Sequence, residues 1–91
     1  MSRAEANCEI INELGLHLRA AATFVKLAES FESDIALERD GMSANGKSII
    51  ALVTLAAAKG VSVRVTADGE DAPEAVRELA ELIRERFGED E

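Results

Sequence analysis

The chain has no tryptophan and no tyrosine, and only one cysteine, one histidine and one proline among its 91 residues. Phe24, Phe31 and Phe87 are its aromatics, so the core must be aliphatic, drawn from the apolar residues that make up 47% of the sequence. A lone Cys8 excludes an intrachain disulfide and a cysteine-rich metal cluster. It alternates with apolar residues and reads as a small buried hydrophobe rather than a reactive thiol. One histidine with one cysteine is a poor set of metal ligands, so no metal site is expected. No apolar run is long enough to span a bilayer, and Lys47 and Lys59 bracket the longest candidate. The polar N-terminus lacks the apolar stretch of a signal peptide, which makes the cytoplasm the expected compartment. Basic residues are also scarce, 10 against 18 acidic ones, for a net charge of −8. Such a surface repels nucleic acid and anionic membranes and suits docking on a basic patch of a partner protein. Part of the charge is Glu89-Asp90-Glu91, which reads as an acidic, frayed, solvated end after a single domain spanning 1–88.

Catalytic signatures are missing too. GxxxxGK[ST] and GxGxxG are absent, which removes the ordinary nucleotide loops, and no GxSxG elbow is present. A Ser-His-Asp triad stays open, because its partners would be spatial, but so short a chain has little room for a substrate cleft. No cofactor is called for.

What is present has clear periodicity. Residues 5–11 alternate, with Ala6, Cys8 and Ile10 on one side, as in a half-buried strand. From Leu18 to Phe31 the period becomes helical, with Ala21, Phe24, Val25, Ala28 and Phe31 on one face. Residues 34–38 and 42–45 read as strands joined at Asp40-Gly41, two residues that tolerate positive φ. Ser48 is placed to cap a helix over "IIALVTLAAAK", with Gly60 just beyond its end. That helix is apolar on so many sides that part of it should remain exposed as a sticky face. Residues 61–67 alternate again. Asp71, Pro73 and Glu74 mark the start of a last helix whose stripe is Val76, Leu79, Ala80, Ile83 and Phe87. The order β-α-β-β-α-β-α predicts an α+β layer fold, a sheet with one wet face and three helices on the other.

The chemistry concentrates at "GLHLR", residues 15–19. Gly15 lets the chain turn sharply as it leaves the strand. His17 then falls at a helix start, where backbone N–H groups are unpaired and the dipole is positive, a ready anion site. Arg19 adds donors suited to phosphate oxygens. The positive helix end favours the neutral imidazole, whose lone pair is a nucleophile that could take and pass on a phosphoryl group. The plainer alternative is a surface histidine that only fills an N-cap.

"GLHLRAAATFVKLAESF" resembles the active-site segment of the HPr family, the histidine-containing phosphocarriers of the bacterial phosphoenolpyruvate-dependent phosphotransferase system. Gly15, Leu16, His17, Arg19 and Ala21 match its pattern. "NGKSIIALVTLAAAKG", residues 45–60, resembles the family's second signature, and "VSVRVTADGEDAPEAV" its last strand and helix start, so the likeness covers nearly the whole chain. The resemblance implies an open-faced β-sandwich, a four-stranded antiparallel sheet covered on one face by three helices. It implies phosphorylation of His17 at Nδ1 by phospho-enzyme I, stabilisation by Arg19, and donation to an enzyme IIA domain. Ser48 falls on the regulatory serine modified by the HPr kinase. Leu18, Ala20, Ile49, Ile50 and Val53 fall on the partner-binding patch. A protein that visits several partners in turn is expected to be a monomer and a carrier without independent turnover.

There are departures. Ala20 stands where proline is usual, Leu18 where Ala or Thr is common, and Leu14 where a polar residue is common. Such variants resemble those whose phosphotransferase systems are regulatory. A nitrogen-type carrier uncoupled from sugar uptake therefore remains an alternative, as does a binding regulator controlled through Ser48 with His17 idle.

Overall fold

The computed structural model describes residues 2–91. Its elements are β1 (Ser2–Glu9), α1 (Leu18–Ala28), β2 (Asp34–Arg39), β3 (Met42–Asn45), α2 (Ile49–Leu55), β4 (Ser62–Gly69) and α3 (Ala72–Arg84), followed by a 3-10 turn, Arg86–Gly88. The four strands form one sheet in the order β1-β4-β2-β3, with every neighbouring pair antiparallel. Register follows from the alternation. Cys8 lies opposite Val63, and Leu37 lies opposite both Val65 and Ala44, so these side chains share the inner face. All are buried, together with Phe24, Leu52, Leu79 and Ile83 from the three helices. On the outer face Arg64 spans from β4 to Glu38 of β2, donating through Nε at 3.0 Å and Nη2 at 2.7 Å. This is the open-faced sandwich of the sequence reading, and Cys8 is buried as expected. Among the described residues, no helix is long and apolar enough to cross a membrane, and no cluster of side chains could hold a metal ion.

The turn between β2 and β3 uses Asp40 at φ 47° and Gly41 at φ 79°, as the hairpin signal required. The second helix is shorter than its composition suggests. Expected to run to Lys59, α2 stops at Leu55, and Ala56 adopts a left-handed conformation. Alanine is an excellent helix former, so the ending is imposed from outside. The Ala57 carbonyl accepts from Leu16 N–H at 2.9 Å, the Gly60 N–H donates to Ile10 O at 2.7 Å, and Ile10 N–H donates to Val61 O at 2.9 Å. Residues 56–61 thus leave the helix to stitch onto the loop that follows β1, and a continued α2 would forfeit those bonds. Phe87 is buried but lies beyond α3, at φ 56° in the closing turn rather than on the helix stripe.

Asp71 stands at the start of α3 but does not cap it through its side chain. Its carboxylate accepts instead from Glu32 N–H at 2.8 Å, Ser33 N–H at 3.0 Å and the Ser33 hydroxyl at 2.5 Å, tying α3 to the loop after α1. The Ser33 hydroxyl first, and then the Glu32 amide, hold the Asp71 carboxyl below its ordinary range. A lowered folded value means that the contribution is fully present above the unfolded pKa and is lost as pH falls through the folded one. The Glu32 and Ser33 amide resonances should therefore shift together in acid, with a midpoint below that of an ordinary carboxylate. Asp71→Asn should abolish that titration. Unchanged titration in the variant would assign the shift to another group.

Candidate functional site

The loop between β1 and α1 is set by backbone before any side chain acts. Gly15 sits at φ +67°, and a Cβ there would lie 2.8 Å from the Ala57 carbonyl oxygen and 3.0 Å from Ala58 Cα. Only glycine fits on both counts. Leu16 is buried beside it, and His17 N–H donates to Gly15 O at 2.9 Å, closing a tight turn.

His17 is the N-cap of α1, with extended backbone at φ −83° and ψ −179°. Its Nδ1 accepts from the Arg19 backbone N–H at 3.2 Å. Nδ1 is therefore the capping atom of α1. An Nδ1 that accepts has a lone pair and no proton, so in the neutral ring the proton belongs on Nε2. That nitrogen faces Glu89 Oε2 at 2.5 Å, with the His17 side chain 25% and the Glu89 side chain 16% exposed. The other Glu89 oxygen accepts from Asn12 Nδ2 at 2.9 Å, and the same Nδ2 donates to Gly15 O at 2.8 Å. Both neighbours of that amide are acceptors, which fixes which way fully buried Asn12 points. Burial pushes the Glu89 carboxyl up, but the hydrogen bonds from Asn12 and His17, with the positive charge of Arg19 and of the His17 ring when it is protonated, outweigh it and hold it below its ordinary value.

Residues 89–91 are not the frayed, solvated tail that their composition predicts. Asp90 and Glu91 do expose their side chains, but Glu89 is docked and the Glu91 carbonyl accepts from Glu13 N–H at 2.7 Å. A negative residue at the positive end of α1, beside Arg19, gains more from that field than from water. Neither Asn12 nor Glu89 was singled out in the sequence. The one hint for Asn12 was an amide interrupting the apolar run after β1, and nothing local pointed to Glu89.

Ser48 caps α2, its hydroxyl accepting from Ala51 N–H at 3.2 Å. Among the patch residues, Leu18 is 63%, Ile50 74% and Val53 37% exposed, while Ile49 is half-buried against the core. Ala20 is fully buried and cannot form part of a docking surface. It points inward with Ala21 and Phe24, because its place in the first turn of α1 lies on the core stripe. Leu14, at 73%, is a further exposed apolar residue near His17 in sequence. Arg19 is exposed.

Residues 4–85 match the family described as the PTS HPr component phosphorylation site. The chain is 47% identical over 83 residues to the phosphocarrier protein HPr of Neisseria meningitidis serogroup A, covering 91% of this chain and 93% of that protein. Its structure is similar to that of an HPr from Thermoanaerobacter tengcongensis, with a TM-score of 0.91 and 41% identity, covering 97% of this chain and 99% of the other. It is also similar to an HPr dimer from the same organism, with a TM-score of 0.76 and 43% identity over 89% of this chain and 93% of that one. On that match over residues 4–85 and that identity over nearly the whole chain, the chain belongs to the HPr phosphocarriers of the phosphotransferase system.

Proposed function

We propose that this phosphocarrier takes a phosphoryl group on His17 Nδ1 from phospho-enzyme I and passes it to an enzyme IIA domain. The observation that carries the reading is the placing of the ring, with Nδ1 facing the Arg19 N–H at the N-terminus of α1 and Nε2 facing a carboxylate. In the transfer, the Nδ1 lone pair attacks phosphorus of a phosphohistidine donor. The donor's N–P bond breaks and its electron pair returns to the donor imidazole. The Arg19 N–H, which points at Nδ1 before transfer, then lies beside the phosphoryl oxygens, where the helix dipole and the Arg19 guanidinium stabilise their charge. Donation to the IIA domain is the same step with the roles exchanged. The test is incubation with phosphoenolpyruvate, Mg²⁺ and enzyme I, followed by intact mass. One added phosphate is expected, and none with any of several enzymes I would sink the proposal.

Leu18, Ile50 and Val53 form the apolar part of the docking surface in this reading. Ile50→Asp should leave thermal stability nearly unchanged, since the side chain is 74% exposed. It should weaken binding to enzyme I by tenfold or more, because a charge would be desolvated in the contact. Titration calorimetry would check this, and equal affinity would remove Ile50 from the surface. Phosphorylation of Ser48 by an HPr kinase is proposed as a second control. A dianion is tolerated where it caps α2, and its effect would fall on docking beside Ile49 and Ile50. The working state is proposed to be a monomer, which sedimentation would test against the dimeric arrangement of the similar T. tengcongensis structure.

A further inference from the structure

Nothing in the transfer chemistry at Nδ1 accounts for Glu89, and the chain goes to some length to place it. After α3, Arg86, Phe87 and Gly88 all take positive φ, at 59°, 56° and 82°. Two of the three are not glycine, so the turn is strained and must be held by its surroundings. Buried Phe87 anchors it, while the Gly88 and Glu89 N–H groups donate back to Glu85 O at 3.0 Å and Arg86 O at 2.9 Å. The turn sends the chain back across the molecule to His17, 72 residues away in sequence. There the Glu89 carboxylate meets Nε2 with one oxygen and the Asn12 amide with the other. Asn12 is fully buried and bridges Glu89 to the Gly15 carbonyl of the loop that carries His17. Both ends of the contact are thus fixed to one frame.

We propose that Glu89, aimed by Asn12, is a positioning residue for the phosphoryl transfer: it holds His17 in the Nε2–H tautomer and pairs with the positive charge the ring gains when Nδ1 binds phosphorus. The proposal rests on His17 as the phosphoryl acceptor. A neutral imidazole divides between two tautomers, and only the one with its proton on Nε2 presents a lone pair at Nδ1. A carboxylate on Nε2 selects that form, as a buried carboxylate does for the histidine of a catalytic triad. When the Nδ1 lone pair forms the new N–P bond and the donor's N–P bond breaks, the ring keeps its Nε2 proton and becomes a cation. That cation forms against an anion already in place. Glu89 thereby favours loading, and because it stays paired to the ring it does not compete with the phosphoryl group for Nδ1.

The test uses the full-length chain with ¹⁵N-labelled histidine. In the wild type, the imidazole nitrogen resonances should report a protonated Nε2 and an unprotonated Nδ1. Glu89→Ala should give a mixture of the two tautomers and lower kcat for transfer from phospho-enzyme I by about 10–100-fold, the usual loss when an orienting partner is removed. KM should stay within about twofold, because the apolar surface is untouched. Glu89→Gln, whose side-chain oxygen still accepts from Nε2–H but carries no charge, should keep the tautomer and lose part of the rate. Asn12→Ala should resemble a weaker Glu89→Ala. Tautomer and kcat both unchanged in Glu89→Ala would overturn the inference. A wild-type chain that takes no phosphate would instead overturn the carrier reading and the charge-pairing half with it, while the nitrogen resonances, which need no donor, would still decide the positioning half.

Discussion

His17→Ala should take no acid-labile phosphate at all from phospho-enzyme I and phosphoenolpyruvate, while the wild type gains one. A phosphoramidate is broken in acid because protonating the ring nitrogen makes imidazole a good leaving group. A phosphoserine survives the same treatment. The loss should be complete, since the chain has no second imidazole to take over. Removing the side chain also removes the cap on Arg19 N–H, and loss of an N-cap costs about 1 kcal/mol. For a domain of this size that lowers Tm by roughly 4–8 °C, so the variant remains folded at room temperature. His17→Asn separates the two effects. Asparagine is a good N-cap but cannot carry the phosphate, so the variant should recover most of the stability and none of the label. Ser48→Ala should keep the whole acid-labile label. Acid-labile phosphate persisting on His17→Ala would move the acceptor elsewhere in the chain.

The fold was legible where a signal was local or periodic. Cys8, Val63, Val65 and Leu37 alternate in sequence and share the inner face, and Asp40-Gly41 turns where both residues tolerate positive φ. Ser48 caps α2 as its hydroxyl allows. The misreadings came where distant groups decided the outcome. The run of alanines after Leu55 favours helix, but the Ala57 carbonyl is needed by Leu16. Asp71 has the placing of a cap, but Ser33 and Glu32 from another loop claim its carboxylate. Ala20 follows Arg19 in a motif read as a surface, yet helical geometry turns it into the core. The site divides in the same way. His17 and Arg19 stand in one motif and could be found together. Asn12 and Glu89 reach His17 only through the sheet and the turn after α3, and a lone glutamate in an acidic tail carries no mark of its partner. The electrostatics of the ring were therefore half visible from sequence: the helix terminus could be inferred, the carboxylate could not.

Gly15→Val should damage both the stability of the fold and the transfer reaction. Two independent costs meet there. A left-handed backbone costs an L-residue about 1–2 kcal/mol, and more with a branched Cβ. The new Cβ would also press on the Ala57 carbonyl oxygen at 2.8 Å and Ala58 Cα at 3.0 Å, which are backbone atoms that no side-chain rotation can clear. Forcing atoms into a filled space adds about 1–3 kcal/mol. The sum of about 2–5 kcal/mol is a large part of a total stability of roughly 5–15 kcal/mol, and Tm should fall by roughly 8–40 °C. Gly41→Val is the control, because φ there is +79° but nothing lies within 4 Å of the added Cβ. It should suffer only the backbone cost. The two should differ more in transfer than in stability. To relieve its contact, the Gly15 variant must break the Leu16–Ala57 hydrogen bond or shift the Asn12–Gly15 one, and either moves His17 relative to Arg19 N–H and Glu89. A displacement of about 1 Å can cost a reacting group about 100-fold. At a temperature where both variants are folded, phosphoryl transfer should be slowed about that much in Gly15→Val and unchanged in Gly41→Val. Equal transfer rates would mean that the loop tolerates the shift and that the ring is held in place by Glu89 and the helix terminus rather than by the turn before it.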